Sequence, residues 1–433
     1  MQKIELPLNQ GQQAAADGFF EFLLSDELEM GISGPGGVGK TFLMGYLIDK
    51  IMPMYFRTCQ MMDIKAEFNE VVMTATTNKA ADVLSAQTGR PAQTVHSLFN
   101  LKVQDDYATG VSKVTKTKSW MVHQNKIIFV DESSMIDKAL YGFIQEGTLK
   151  CKIVYVGDKC QMAPVREKLS PVYKQGMRFY DLTEPMRNAG QPALQDICSL
   201  VRKSVETGEF YDLKLVPGVI DYLTDDEMPA ALLADFQCPD HNNKIVAYTN
   251  SRVVEFNDYV RDIRGLPPSW VVGEFVVNNS PIRVKTGILS VETIVKIVDM
   301  SPDTEVEMIE PGVDLEVRFM DLENQHGEVY AGMPVPVDSE HFSKLVRYYA
   351  NRKNWERYYY LKNTFPDLRA RDASTVYKAQ GSSCDTIYID LGNLSTCKDP
   401  EQAARQFYVG VSRARQRIIF YGQLAEKFGR IIS

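Results

Sequence analysis

The chain has 433 residues, a formal net charge of −8 and seven cysteines. Its length allows about three domains, and a composition of 44% hydrophobic and 24% charged residues is typical of a globular protein with packed cores. The cysteines form no Cys-x-x-Cys pair, which disfavours a zinc site, and no apolar run approaches the ~20 residues of a membrane span. We therefore expect a cytoplasmic protein with reduced thiols and no membrane partner. The acidic charge argues against coating nucleic acid through bulk charge, although a local basic groove stays compatible with it.

The most informative stretch, GPGGVGKT from Gly34 to Thr41, matches the phosphate-binding loop pattern. Apolar residues at 30 and 32 predict a strand before it, and helical spacing of apolar residues predicts a helix after it. Glycines let backbone N–H groups approach phosphates, and the helix start adds its positive dipole end. We expect Lys40 to reach the β- and γ-phosphates and the Thr41 hydroxyl to ligate Mg²⁺. The other predicted nucleotide contacts of the loop are Gly34, Gly36, Gly37, Val38, Gly39 and Phe42.

Further along the chain, apolar runs at 71–74, 127–130 and 153–156 predict buried parallel strands. The second run ends in Asp131 and Glu132, at the sheet edge where α/β folds bind ligands. We expect Asp131 to hold the magnesium and Glu132 to orient and deprotonate the attacking water, the alternative being a mere helix cap. Gln161 follows the third run at the same edge and could touch the γ-phosphate. Asn78-Lys79 lacks the aspartate of a guanine-binding motif, which disfavours a GTPase.

The sequence predicts an α/β fold with two parallel-sheet units. The first covers 1–185, the second covers 186–264 and 371–433 with its first clear strand near Lys244, and 265–370 form a β-rich inserted domain. Residues 101–125 are either a hairpin-like insertion or a solvated loop. Residues 342–371 carry eight Lys or Arg, two acids and many aromatics. They could stack bases and neutralise phosphates, or pack as an amphipathic helix.

Nine motifs, spread in order from residue 8 to 415, resemble those of superfamily 1 DNA helicases of the RecD-like, 5′-to-3′ branch. The motifs are LNQGQ from Leu8, GPGGVGKT from Gly34, TTNKAA from Thr76, TVHSL from Thr94, DESSM from Asp131, GDKCQMAPV from Gly157, LTEPMR from Leu182, STVYKAQGSS from Ser374 and YVGVSRAR from Tyr408. The resemblance covers both α/β units and extends only loosely to the inserted region. Three positions depart from the pattern: Tyr377 replaces a usual histidine, Met162-Ala163 replaces Leu-Pro, and serines replace a ribose-binding glutamate after Gly381.

This resemblance implies two RecA-like domains that use ATP and Mg²⁺ to move along single-stranded DNA and open duplex junctions. It implies that Gln12 contacts adenine, that Gly381 contacts the nucleotide, and that Arg187 and Arg413 are arginine fingers. It also implies that the 101–125 hairpin is a pin that splits the duplex, and that the basic aromatic stretch is a tower that braces the pin. The positions that resemble strand contacts are Thr76, Thr77, His96, Pro164, Asn250, Thr375, Tyr377 and Lys378.

The resemblance further implies a protein that works as a monomer, with a single-strand-binding or replication protein as a candidate partner. Two alternatives stay open at this stage. One is a nucleotide-switched clamp that does not translocate, and the other is an RNA helicase of the same superfamily. The chain contains Glu132, Gln161 and two candidate arginine fingers, which a clamp would not need, whereas only the resemblance favours DNA over RNA.

Overall fold

The computed structural model describes residues 7–164, 167–174, 176–184, 191–284 and 287–432. Two parallel sheets, each surrounded by helices, form the two α/β units that the sequence predicts, and an antiparallel sheet lies between the two chain segments of the second unit. The predicted α/β class with two parallel-sheet units is confirmed. Within the described residues, no helix combines the length and apolarity needed to cross a membrane.

In the described residues, the first unit contains ten strands and six α-helices. Its strands are β1 (Glu29–Ser33), β2 (Glu70–Ala75), β3 (Ala92–Thr94), β4 (Leu101–Asp105), β5 (Ser112–Lys116), β6 (His123–Gln124), β7 (Lys126–Asp131), β8 (Thr148–Leu149), β9 (Lys152–Gly157) and β10 (Arg178–Asp181). Its helices are α1 (Gln10–Leu24), α2 (Lys40–Tyr46), α3 (Met52–Met61), α4 (Asn78–Thr88), α5 (Val95–Leu98) and α6 (Lys138–Glu146). A π-helical turn, Leu47–Ile51, joins α2 to α3.

The first parallel sheet has the strand order β10-β1-β9-β7-β2-β3. Every residue of β9 is buried, as are the four central residues of β7, because helices cover both faces of this sheet. Since β1, β9 and β7 are neighbours and parallel, the segments that follow them meet at one edge of the sheet. The phosphate loop, the carboxylate pair after β7 and the segment containing Gln161 therefore come together.

The second unit is built from two chain segments. The first contains β11 (Leu213–Lys214), β12 (Ile220–Leu223), β13 (Asn243–Ala247), α7 (Pro192–Thr207), α8 (Met228–Phe236) and α9 (Asn250–Ile263). Between the segments lie β14 (Phe275–Asn278), β15 (Ile282–Val284), β16 (Gly287–Leu289), β17 (Ile294–Met300), β18 (Glu305–Glu310), β19 (Val313–Asn324), β20 (Val329–Pro336), α10 (Ser339–Asn351), α11 (Trp355–Thr364) and β21 (Leu368–Ala370). The second segment contains β22 (Ala373–Thr375), α12 (Val376–Ala379), β23 (Cys384–Asp390), α13 (Leu391–Leu394), α14 (Pro400–Val411), β24 (Ala414–Tyr421) and β25 (Ile431–Ile432).

The second parallel sheet has the order β12-β24-β23-β13-β22. Its first strand along the chain is β12, so the expectation that the second unit's first clear strand lies near Lys244 is wrong. β12 has four residues, of which Ile220 alone is fully buried, and so short an edge strand leaves little apolar signal in the sequence. Tertiary pairing with β24 is what makes it a strand.

The inserted region is an antiparallel sheet, β18-β19-β17-β14-β21, with β20 paired to β19. Helices α10 and α11 pack on it through Phe342, Tyr349 and Phe365, which are all buried. These aromatic residues are therefore core, as the amphipathic-helix interpretation predicts. Tyr348 and Tyr360, by contrast, are 37% and 39% exposed and leave ring surface accessible.

Residues 101–116 form a hairpin in which β4 is antiparallel to β5. Of the two interpretations of this segment, the hairpin-like insertion is therefore the one observed. The hairpin contacts α11 of the inserted region. The rings of Tyr107 and Tyr359 meet edge to face with centroids 5.2 Å apart, and Asn363 Nδ2 donates to Asp105 Oδ2 at 3.0 Å. Two segments separated by more than 200 residues are thus joined.

A buried ion pair holds the junction between the inserted region and the second sheet. Asp372, which is 1% exposed, accepts two hydrogen bonds from Arg264 at 2.9 and 3.0 Å, and His241 Nε2 lies 2.9 Å from it. Burial alone would raise the pKa of Asp372, but the hydrogen bonds from His241 and Arg264 outweigh it and lower that pKa to about 2.

We expect Asp372→Asn to destabilise the protein by about 3–5 kcal/mol, because Arg264 would be left as a buried, unpaired cation. Thermal unfolding followed by circular dichroism measures the change, with exposed Asp303→Asn as the matched control. Since the folded pKa of Asp372 lies below its unfolded value of about 3.9, its contribution is complete above that pH and is lost as the pH falls through about 2. A variant as stable as the control at pH 7 would contradict this role.

Candidate nucleotide cleft and nucleic-acid channel

The phosphate loop between β1 and α2 has the backbone that its glycines predict. Gly37 and Gly39 adopt φ values of 87° and 80°, in the left-handed region that side chains disfavour. Lys40 Nζ donates to the carbonyl oxygens of Gly34 and Pro35 at 2.8 and 3.0 Å. Burial lowers the pKa of Lys40, and the nearby carboxylates, Asp158 first among them, oppose that effect. A phosphate in the loop would supply further negative charge to this dehydrated amine.

The carboxylate pair follows β7. Glu132 has a φ of 53°, and this sharp turn lets its N–H donate to Asp131 Oδ1 at 2.9 Å. Burial, and then the charge of Glu132, raise the pKa of Asp131 to about 7. A divalent cation would favour the ionised form of this carboxylate, and Thr41 provides a second oxygen in the same cleft. The residues present therefore fit Mg²⁺.

The opposite wall of the cleft comes from the second unit. Arg413 follows α14, and its guanidinium donates to the carbonyl oxygen of Ser382 at 3.1 Å. A Cβ built on Gly36 would lie 3.9 Å from Arg413 Nη2, so the guanidinium lies against the phosphate loop. Gly381 is equally close to the carboxylate pair, since a Cβ there would lie 3.8 Å from Glu132 Oε1. The cleft measures about 670 Å³, within the range of ligand pockets.

Most of the predicted nucleotide and catalytic residues line this one cleft. They are Gly36, Gly37, Gly39, Lys40, Thr41, Phe42, Asp131, Glu132, Gln161, Gly381 and Arg413. Arg187 lies outside the described residues. Gly34 lies close to the backbone of Leu182. A Cβ at position 34 would come within 2.5 Å of the carbonyl oxygen of Leu182, so this close approach requires glycine. Val38 is buried behind the loop.

Gln12 is placed under the loop rather than in the cleft. Its side chain is fully buried, Nε2 donates to the carbonyl oxygen of Val38 at 3.1 Å, and Oε1 accepts from the N–H of Asn9 at 3.2 Å. The amide therefore caps α1 and supports the phosphate loop. To contact adenine, the Gln12 side chain would have to give up its hydrogen bond with Val38 or with Asn9.

A buried network that the sequence did not reveal joins the segment after β9 to the second unit. Asp158 is fully buried and accepts hydrogen bonds from Arg202 Nη1 at 2.7 Å and from the Tyr408 hydroxyl at 2.5 Å. Arg405 Nη1 donates to the carbonyl oxygen of Gln161 at 2.7 Å. These partners lie on α7 and α14, far away along the chain, and single polar residues at such spacings carry no recognisable pattern. The cleft thus has a mechanical link between its walls.

The predicted strand contacts line three cavities that are linked by shared bordering residues. One is bordered by Pro164 and Tyr377. Tyr377 also borders the second, together with Thr76, Thr77 and His96. Glu292 connects the second cavity to the third, which is bordered by Asn250, Thr375 and Lys378. We call these three cavities together the strand channel, and all eight predicted contacts border it.

The third cavity is also lined by lysines and arginines for which the sequence predicted no individual strand contact. They are Lys79, Lys244, Arg369 and Arg371. They come from both units and from the end of the inserted region, so the sequence does not show that these cations meet in one cavity. Lys79 also borders the nucleotide cleft and so lies between the two sites.

Comparison with known proteins gives matches in both units. Residues 23–167 match the family model described as an AAA domain, and residues 372–421 match the UvrD-like helicase C-terminal domain. The chain is 24% identical to the ATP-dependent DNA helicase dda of Enterobacteria phage T4, over 95% of this chain and 99% of that one.

Solved structures of Pif1 helicases share the fold. A Pif1 structure from work on forked DNA unwinding by two coordinating Pif1 helicases matches with a TM-score of 0.54, and one from Bacteroides with ADP-AlF3 and single-stranded DNA with 0.52. Both are 15% identical to this chain, with 99% of this chain and 95% of the other covered. These matches support two RecA-like domains. Taken together with the order of the nine motifs, the comparisons bear out the resemblance of this chain to superfamily 1 helicases.

Proposed function

We propose that the chain is an ATP-dependent DNA helicase that moves 5′-to-3′ along single-stranded DNA and unwinds duplex by hydrolysing Mg-ATP between its two RecA-like domains. One observation carries this proposal: Lys40 of the first unit and Arg413 of the second border the same cleft. A simple nucleotide-binding module needs the loop but no arginine from a second unit. An arginine from the second unit that contacts the γ-phosphate loses this contact when ATP is hydrolysed, and the contact between the two units then changes.

Each cleft residue has a role in this proposal. Thr41 and Asp131 would hold Mg²⁺, which neutralises charge on the phosphates when bound. Glu132 orients and deprotonates the attacking water, and Gln161 contacts the γ-phosphate. Gln380 of the second unit donates to Glu132 Oε2 at 3.4 Å, so that domain closure also positions the base. The cation of Arg413 stabilises the charge that develops on the γ-phosphate.

Movement along DNA follows from the same two-unit arrangement. The contacts of Asp158 and of the Gln161 carbonyl oxygen with α7 and α14 transmit the state of the cleft to the second unit. A strand in the channel touches both units and would be passed along as the cleft closes and opens. The 5′-to-3′ direction rests on the family resemblance.

The hairpin formed by β4 and β5 would be the pin that splits the duplex, and α11 would be the tower element that braces it. The Tyr107–Tyr359 ring contact and the Asn363–Asp105 hydrogen bond support this assignment, because they tie the hairpin to a second domain. Val103 of the hairpin borders the strand channel, and this position supports the proposal that the pin lies beside the path of an unwound strand.

We propose domain boundaries at 1–185 for the first RecA-like domain, 186–264 with 371–433 for the second, and 265–370 for the inserted domain. One chain supplies both walls of the cleft, which supports a protein that functions as a monomer. Cytoplasmic location and cooperation with single-strand-binding or replication proteins complete the proposal.

Replacing Lys40 by Ala should abolish ATP hydrolysis, because the cation placed within the loop would be lost. Phosphate release in the presence of single-stranded DNA measures it, and exposed Lys65→Ala is the matched control. Near-normal turnover in Lys40→Ala would remove the loop from the mechanism.

Replacing Arg413 by Ala should reduce turnover by ~10³ or more, the range for arginine fingers, with ATP binding largely retained. Turnover and nucleotide affinity are measured separately, with Arg430→Ala as control because that side chain is 78% exposed. Turnover within a few-fold of wild type would contradict the shared-cleft mechanism.

The direction of movement is tested with duplexes that carry a single-stranded tail at one end. We expect single-stranded DNA to stimulate ATP hydrolysis strongly and unwinding to require a 5′ tail. Matched RNA tails distinguish a DNA helicase from an RNA helicase. Stimulated hydrolysis without unwinding of any substrate would favour the clamp, and unwinding from 3′ tails would reverse the proposed polarity.

A further inference from the structure

Five acidic residues border the strand channel in the part of the chain that the structure describes: Glu132, Glu167, Glu292, Asp399 and Glu401. Of these, Glu292 alone borders two of the three cavities, among the positions that resemble strand contacts. Glu292 borders the cavity that contains Thr77 and His96, and it also borders the cavity that contains Lys378. A phosphate backbone that follows the channel would have to pass this carboxylate. An anion in such a place opposes nucleic-acid binding and is not explained by the proposed function alone.

The backbone holds Glu292 firmly in this place. It lies in the turn between β16 and β17 with a φ of 64°, a conformation that non-glycine residues rarely adopt. Its N–H donates to the carbonyl oxygen of Asn278 at 2.7 Å, and the fully buried Asn278 side chain donates to the carbonyl oxygens of Leu289 and Ser290 at 3.1 and 3.0 Å. Uncommon backbone of this kind persists where the surroundings over-determine it, and it is frequent at functional sites.

The charges around Glu292 come from all parts of the chain. Lys79 belongs to α4 of the first unit, whereas Lys244 and Lys378 belong to the second. Burial raises the pKa of Glu292, and the charges of these three lysines oppose that rise. In return, Glu292 opposes the lowering that burial causes in the pKa values of Lys79 and Lys378. The carboxylate of Glu292 therefore favours the charged forms of Lys79 and Lys378, an effect that it shares with Asp367 in the case of Lys378.

We propose that Glu292 is a built-in substitute for a DNA phosphate: it neutralises the channel lysines when no strand is present and competes with the backbone of a bound strand. This inference rests on the proposed function. Its consequence is a weaker grip on the strand, which a motor that must release each phosphate before it moves on requires. Glu292 is thus a positioning residue of the channel and takes no part in hydrolysis.

The test measures how tightly the Glu292→Gln variant binds single-stranded DNA. Binding is monitored by fluorescence anisotropy without nucleotide, over a range of salt concentrations. Freeing one lysine for one more phosphate should steepen the log–log salt dependence by about 0.7 and tighten the Kd about fivefold at ~0.1 M salt. Glu305→Gln is the matched control, because it removes the same charge from an exposed strand of the same inserted region. It should leave both quantities as in wild type.

A second variant, Glu292→Gly, removes the carboxylate and suits the left-handed backbone, so a change shared by both variants is due to lost charge and not to a disturbed turn. Wild-type affinity and slope in both variants would overturn the inference. Weaker binding would also overturn it and would point to a carboxylate that accepts hydrogen bonds from bases. Failure of the wild-type protein to bind any strand would instead overturn the proposed function, on which the inference rests.

Discussion

The rest of the structure depends on the approach of a cation from one unit to the phosphate loop of the other. Arg413 lies against the loop near Gly36, where its charge adds to that of Lys40. Two cations in one dehydrated cleft repel each other, and the neighbouring carboxylates Asp158, Glu132 and Asp131 offset part of this repulsion. A triphosphate with its metal ion would complete the balance, so the stability of the closed cleft is tied to what occupies it.

The same interface carries the mechanical connection. Asp158 is an anion without solvent exposure, and it is stable there because Arg202 and Tyr408 of the other unit donate to it. Separation of the units would break both hydrogen bonds and transfer the carboxylate to water. Interfaces of this kind favour a few defined arrangements over continuous sliding, and a stepping motor needs such discrete states.

The strand channel shows how a protein with a net charge of −8 can bind a polyanion. Its cations are concentrated in one cavity between the units and the inserted region, where desolvation strengthens their field. Glu292 moderates that field from within. The nucleotide cleft and the strand channel share several bordering residues, Lys79 and Arg413 among them. Burial lowers the pKa of Lys79, and the charge of Arg413 lowers it further, so the charges of the two sites influence each other. The nucleotide cleft and the strand channel are therefore coupled electrostatically. In addition, the hydrogen bonds of Asp158 connect the two units mechanically.

Sequence by itself determined the features that local chemistry controls. The phosphate loop, the buried strands β7 and β9 and the carboxylate pair could be predicted because glycine geometry and continuous apolar runs act over a few residues. The inserted β-region followed from its alternating pattern, and the order of the motifs was sufficient to indicate the resemblance to superfamily 1 helicases. The local sequence pattern allowed two interpretations of the hairpin and two of the aromatic helices. The solvent exposure of their side chains decides between these interpretations, and the sequence does not show it.

Tertiary structure alone decided which distant side chains meet. It placed Gln12 under the loop, paired the short strand β12 with β24, and brought Arg202 and Tyr408 to Asp158. It also put Glu292 among lysines from two units. None of these outcomes has a sequence signal, because each depends on packing between segments that lie far apart in the chain. The burial that gives these charged and polar groups their properties exists only after those segments have folded together.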